Sequence, residues 1–388
     1  MKNKFGQPIE LLAPAGDMSR LKTAFHFGAD AVYLGGKEFG LRAKCRNFTE
    51  AEISQAVEFA KRIGKKIYVA VNIFANNADF PEIEKYALFL EKVGVDAVIV
   101  SDLGVLSVFK KHTNLEIHIS TQANILNQYS AMQYVELGAK RIILARELPI
   151  SDIADICQCL HGKADIEVFV HGAMCIAYSG RCLLSNYMTG RSSNRGDCAQ
   201  PCRYKYTLQE EKRPEEFFPI EEDRHGTYIM NSRDLVLINH IKELADAGVR
   251  SFKIEGRMKN ECYVGGVVNV YRRAMNGEKF DYMHELSKIP HRPFTTGFVF
   301  GDQEKEFFLS SAIIQNFKIV GVSKGGGEVL VKNKIKPNDE IEILSPSETN
   351  GKKFEYKGDI ANVPETVIQI DCPYPLQPCD LLRKARVL

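Results

Sequence analysis

Residues 28–36 read "GADAVYLGG", and this form decides the fold because it returns along most of the chain. A glycine precedes two or three small or polar residues and then a short run rich in apolar side chains. The form recurs as "GKKIYVAVN" (64–72), "GVDAVIVSD" (94–102), "GAKRIILAR" (138–146), "GKADIEVFVHG" (162–172) and "GVRSFKIEG" (248–256). Glycine tolerates the left-handed conformation that ends a helix, and the runs have the length and branched content of strands buried on both faces. Between them lie helical patterns such as "TEAEISQAVEFAKRIG" (49–64), which opens on Thr49 with Glu52 three residues later, a capping box. Adding "IELLAPAG" (9–16) and "LEIHISTQA" (115–123) gives eight strands, nearly all followed by helix. Eight such units over about 270 residues predict an α/β fold, a (β/α)8 TIM-like barrel. The competing open doubly wound sheet alternates in the same way but usually has about six strands.

A barrel gathers the ends of its strands on one face, where such folds do their chemistry. The closing residues are Ala15-Gly16, Gly35-Gly36, Asn72, Ser101-Asp102, Thr121-Gln122, Arg146-Glu147, His171 and Glu255-Arg257. This set is polar where the runs before it are apolar. One connection breaks the rhythm: strand seven ends near His171 and strand eight begins near Ser251. Long excursions in compact domains are usually functional or disordered, and this one carries four closely spaced cysteines. Residues 1–292 are therefore read as a barrel with a cysteine-rich insertion at about 175–248, including a helix in "NSRDLVLINHIKELADAG" (231–248). From residue 293 to 388 short alternating strands lie between Gly, Pro, Asn and Asp turns, the pattern of a small all-β barrel domain, a type that serves for RNA binding or for packing.

The chain is 45% hydrophobic and 26% charged, an ordinary balance for a globular protein. No run approaches the roughly 18 apolar residues of a membrane span, and "MKNKFGQPIELLAPAG" has no secretory apolar core. A cytoplasmic protein without a membrane partner is expected. A net charge of +2 means that any RNA site must be a local patch. Basic residues stand beside aromatics in "GKEFGLRAKCRNF" (36–48), and Arg191, Arg195, Arg203 and Lys205 crowd the cysteine region with Tyr204 and Tyr206.

Ten cysteines in a reducing compartment point to metal or redox work rather than to disulfides. Four lie in the excursion, Cys175, Cys182, Cys198 and Cys202, spaced C-x6-C-x15-C-x3-C. Four soft thiolates suit zinc or an iron–sulfur cluster, and the spacing does not separate the two. A nucleophilic cysteine with His171 as its base stays open. Cys157, Cys159, Cys372 and Cys379 read as structural, with pairing of the last two open.

The stretch "EVFVHGAMCIAYSGRCLLS" (167–185) resembles the signature of the collagenase-like peptidase family of unknown catalytic type. "LLAPAGD", "GADAVYLGG", "GLRAKCRNF", "CAQPCR", "NSRDL" and "KIEGRMK" resemble other blocks of that family, so the likeness spans barrel and insertion. Within the family the blocks are most similar to members that make 5-hydroxyuridine in tRNA, beside rRNA- and ubiquinone-hydroxylating relatives. The resemblance implies hydroxylation of the tRNA wobble uridine, a [4Fe–4S] cluster, prephenate as co-substrate, and a translation-factor-like C-terminal barrel. A second family subunit is a further expected partner. The cluster ligands carry over to Cys175, Cys182 and Cys198; Cys202 is the fourth by spacing, with Cys45 and Cys262 as alternatives.

A small dicarboxylate needs fork-shaped donors, so Arg42, Arg181 and Arg257, on loops leaving strands two, seven and eight, are the expected contacts. Asn72, Gln122 and Glu255 are expected beside them. His171 and Tyr178 flank the first cysteine and are the candidates for proton transfer or base stacking. Three other readings remain: rRNA cytidine hydroxylation, a peptidase, and a non-catalytic RNA-binding protein with zinc. The peptidase lacks a motif here, since "HELSK" (284–288) has no second histidine and no GxSxG occurs.

Overall fold

The computed structural model describes residues 1–41, 46–175, 177–203, 209–210, 213–217, 222–223, 226–227, 233–301 and 313–386. Eight parallel strands form the barrel: β1 (Glu10–Pro14), β2 (Ala31–Gly35), β3 (Lys66–Val71), β4 (Ala97–Val100), β5 (Glu116–Ile119), β6 (Arg141–Ile143), β7 (Asp165–Ala173) and β8 (Ser251–Ile254). Each pairs with the next, and β8 pairs with both β7 and β1, which closes the ring. The (β/α)8 barrel expected from the glycine-led repeat is the fold.

Helices α1 (Met18–His26), α2 (Glu50–Arg62), α3 (Phe80–Val93), α4 (Leu103–His112), α5 (Gln128–Glu136) and α6 (Ile150–Leu160) follow the first six strands. The α2 capping box forms as read: Glu52 N–H donates to Thr49 Oγ1 at 3.2 Å, and Thr49 N–H donates to the Glu52 carboxylate at 2.8 Å. Outward strand residues such as Leu11, Val69 and Val98 pack with helix residues such as Leu21, Ile53 and Ile83 in one main core. Burial of each such side chain contributes about 1.5–3 kcal/mol.

After β7 the chain makes the six-residue helix α7 (Leu184–Thr189), and before β8 comes α8 (Ile241–Ala247). The helix expected from residue 231 thus begins at Ile241. The residues ahead of it, Asp234–Val236, pair antiparallel with His171–Ala173 instead, because the apolar Leu235 and Val236 complete the sheet beside the extended end of β7. Phe294–Thr295 pairs in turn with Asp234–Leu235, so this segment stays with the barrel sheet.

Helix α9 (Glu261–Met275) and α10 (Tyr282–Ser287) lead to a six-stranded antiparallel sheet between Phe317 and Ala385. Its Leu344 and Leu381 join the main core. Arg383 pairs with Glu342 in the sheet and with Glu285 on α10, and Lys332 pairs with Glu261 on α9. The sheet is thereby fastened to the barrel's helices. None of the described cysteines, Cys372 and Cys379 included, forms a disulfide. No helix among the described residues is long and apolar enough to cross a membrane.

Candidate active site

A buried ladder of charges runs up the barrel interior. Arg141 on β6 donates to Glu10 on β1 at 2.5 Å and to Glu167 on β7 at 3.1 Å. Lys253 on β8 donates to the other Glu167 oxygen at 2.8 Å. Tyr68 and Ser251 hydroxyls complete Glu10 at 2.7 and 3.1 Å. All four charged side chains are buried, and two charges of each sign cancel. Burial alone would raise the Glu10 carboxyl, but Arg141 and Tyr68 outweigh it and hold the group at about 2. Burial likewise works against Glu167, and Lys253 with Arg141 holds it below the usual carboxylate range.

Above the ladder, at the C-terminal ends of the strands, is a cavity. Lys253 and Phe169 line its lower part, and Asn72, Gln122, Arg146, Glu255 and Arg257 contribute from four different strand ends. The Asn72 amide donates to Ser120 Oγ at 3.2 Å and accepts from Leu41 N–H at 3.2 Å, which fixes its rotamer. Arg146 donates to Ala173 O at 2.9 Å and lies over the Phe169 ring. Arg257 is 4% exposed, and it crosses the space where a Cβ on Gly35 would stand, so that glycine makes room for it. A larger hollow of about 260 Å³ opens between Phe5, His161 and Arg250, at the N-terminal ends of the strands. Barrel chemistry belongs to the opposite face, so we place the site at the cavity over Lys253.

The cysteine loop roofs this cavity through Ser179. Asn124 donates to Ser179 O at 2.6 Å, and Gly180, at φ +72°, packs against Gln122 and Phe74 where a side chain would collide. Farther along, Arg195 grips Asp79 with two hydrogen bonds of 2.9 and 3.1 Å and donates to Phe74 O. Within the loop, Ser185 Oγ accepts from Ala199 N–H at 2.9 Å, and Ser193 Oγ donates to Cys182 O at 2.9 Å. These bonds tie the segments carrying Cys182 and Cys198 together. Gln200 N–H points at Cys198 Sγ at 3.4 Å.

Four thiols on one loop over a barrel mouth suit a soft metal or a cluster by donor chemistry. Their side chains do not close a cage by themselves: among the described residues no three His, Cys, Asp or Glu groups converge to hold an ion. Cys175 is exposed, and Cys182, Cys198 and Cys202 are half-buried. Cys262 lies in the main core on α9, where burial pushes its thiol up to about 11. Cys45 and Arg42 lie outside the described residues, as do Tyr204, Lys205 and Tyr206.

Asn72, Gln122, Glu255 and Arg257 therefore meet in one cavity. Arg181 is exposed and Tyr178 half-exposed on the loop above, joined by the turn bond from Arg181 N–H to Tyr178 O, and neither lines the cavity. His171 is buried among Tyr263, Tyr271 and Phe294. The pairing of β7 with β8 slips by one residue between Phe169 and His171, and such a bulge turns the following side chain to the other face. His171 so faces α9 rather than the barrel axis, and burial drives its imidazole down to about 3. Of the basic and aromatic residues read as a candidate RNA patch, Arg191 is paired with Asp197 and Arg195 with Asp79, and Phe48 is core. Lys253, Glu167, Arg141 and Glu10 were not among the expected site residues. The available signal was a charge at the start of, or within, each of four otherwise largely apolar strands.

The sequence profile of peptidase family U32 matches residues 16–308. A Bacillus subtilis protein named tRNA hydroxylation protein P1 is 37% identical, over 97% of this chain and 95% of its own length. The Escherichia coli protein named 23S rRNA 5-hydroxycytidine C2501 synthase is 39% identical over 69% of this chain and 39% of its own length. A Porphyromonas gingivalis protein named collagenase is 32% identical, over 77% of this chain and 75% of that protein.

Proposed function

The chain belongs to peptidase family U32, and from that membership and the barrel mouth we propose that it is an RNA-hydroxylating enzyme. The substrate in this reading is tRNA, and the product is 5-hydroxyuridine at the wobble position. The observation that carries it is the seating of a four-cysteine loop over a cation-lined cavity at the chemical end of the barrel. The likeness to the B. subtilis tRNA hydroxylation protein, over nearly the whole chain, supports the choice of RNA.

Cys175, Cys182, Cys198 and Cys202 are the thiols that would hold a [4Fe–4S] cluster. Such a cluster supplies one-electron chemistry that side chains lack. The chain's own residues bind and shield. Arg257, Arg146 and Lys253 offer positive charge to the carboxylates of prephenate, the co-substrate in this reading. The Arg195–Asp79 clamp and Gly180 hold the loop down over the cavity. Tyr178 and Arg181, exposed on the loop, are placed to stack a base and to meet a phosphate. His171, turned toward α9, shapes the strand end and takes no proton from the cavity.

Anaerobic purification tests the cluster: iron and sulfide bound to the chain support it, and one colourless zinc per chain refutes it. Nucleoside mass spectrometry of RNA from a strain lacking the chain tests the reaction. The E. coli relative favours a second reading in which rRNA cytidine is the target; loss of hydroxycytidine from rRNA, with tRNA hydroxyuridine unchanged, would establish it.

A further inference from the structure

The charge ladder ends at the bottom of the cavity, and the cavity wall carries polar atoms with opposite needs. Lys253 lines the cavity, is 4% exposed and keeps Nζ 2.8 Å from Glu167 Oε1. Its ammonium also lies 4.5 Å from the Tyr33 ring centre and 5.4 Å from that of Phe169, so π faces box it on two sides. Glu167 is held by Arg141, and Arg141 by Glu10. The ammonium is thus fixed in place by residues from three other strands.

Higher up, Arg146 Nε–H is a buried donor and Gln122 Oε1 a buried acceptor, neither with a hydrogen-bond partner among the described residues. An ammonium carries three N–H donors, of which Glu167 takes one. A ligand that satisfies the set must bring acceptors for Lys253 and Arg146 and a donor for Gln122. A carboxylate meets the first need and a hydroxyl the second. We propose that Lys253 is a substrate-binding cation of this cavity, that Glu167 is its positioning residue, and that the ligand is a small hydroxylated carboxylate. This rests on the barrel mouth being the ligand site, and prephenate is one member of the class. Burial pulls the Lys253 ammonium below its usual value, and Glu167 opposes that pull.

The competing role for Lys253 is that of a counter-charge filling the barrel. The double variant Lys253→Met/Glu167→Gln removes one charge of each sign and leaves the ladder neutral, so it is expected to fold. Titration calorimetry with prephenate, malate and succinate, at low and high salt, separates the roles. Wild-type protein is expected to bind prephenate and malate more tightly than succinate, which has no hydroxyl. The double variant should keep its circular dichroism, lose about tenfold or more in affinity for both hydroxy acids, and show a flatter salt dependence. Glu167→Gln alone keeps the ammonium but not its position. It should lose about threefold with the wild-type salt dependence.

A double variant that binds both hydroxy acids within about twofold of wild type overturns the role of Lys253, and leaves the prephenate reading standing. Wild-type binding of malate but not prephenate, abolished in the double variant, supports Lys253 and removes prephenate. Wild-type protein that binds none of the three overturns the proposal.

Discussion

Replacing Arg141 by methionine removes the cation that stands between two buried carboxylates. Arg141 is 3% exposed and donates to Glu10 at 2.5 Å, Glu167 at 3.1 Å and Asp165 at 3.4 Å. Without it, Glu10 and Glu167 face Lys253 alone, and the interior carries one uncompensated negative charge. Breaking a buried pair from one side costs about 3–5 kcal/mol, mostly as the penalty of the stranded partner. The loss should depend on pH with a definite sign. In the wild type Glu10 titrates at about 2, below its ordinary value of 4.5, so its stabilisation is complete above that ordinary value and is lost as pH falls toward 2. In Arg141→Met burial acts on Glu10 without its main opponent, and the native carboxyl takes up a proton that the unfolded chain binds only at lower pH. The variant therefore recovers about 1–2 kcal/mol of its deficit between about pH 8 and pH 5. The chain has no tryptophan, so urea unfolding followed by far-ultraviolet circular dichroism is the assay. The double variant Glu10→Gln/Arg141→Met, which removes one charge of each sign, should lose less than the single one. A single variant within about 1 kcal/mol of wild type, or a deficit that grows on acidification, would refute the ladder as described.

The other expectations concern the roof and the turned histidine. Arg195→Ala should cost the cysteine loop about 1 kcal/mol, because its bonds to Asp79 are partly exposed and screened. Hydrogen exchange at Tyr187 and Gly190, whose amides are bonded within the loop, should then quicken about fivefold while the barrel strands stay protected; unchanged loop protection counts against the clamp. His171→Phe should gain stability relative to wild type as pH falls. The native imidazole titrates at about 3 and the ordinary value is 6.5, so protons favour the unfolded chain across that window. Chemical unfolding should show the gap widening by roughly 2 kcal/mol from neutral pH to about pH 5, and a gap constant with pH would mean that His171 is not buried neutral.

The barrel was legible because parallel strands buried on both faces leave an unmistakable apolar run, and a glycine marks each preceding helix end. Asn72, Gln122, Glu255 and Arg257 were legible for a related reason: they close strands, and closure of the ring carries every strand end to one face. Lys253 was not, since within a strand the direction of a side chain depends on register. His171 illustrates the same point from the other side. It too closes a strand, but a one-residue slip against β8, invisible in local composition, turns it toward α9. Arg195 read as part of an RNA patch because its partner, Asp79, is 116 residues away in the chain. The strand Asp234–Val236 read as helix because its pairing with β7 is a tertiary choice that overrides local pattern.

The central claim is that this chain hydroxylates tRNA, and nucleoside mass spectrometry of purified tRNA tests it most directly. A strain lacking the chain should lose 5-hydroxyuridine. The wild-type chain should restore it, and Cys198→Ser, produced at the same level, should not. Hydroxyuridine unchanged by the deletion would contradict the claim.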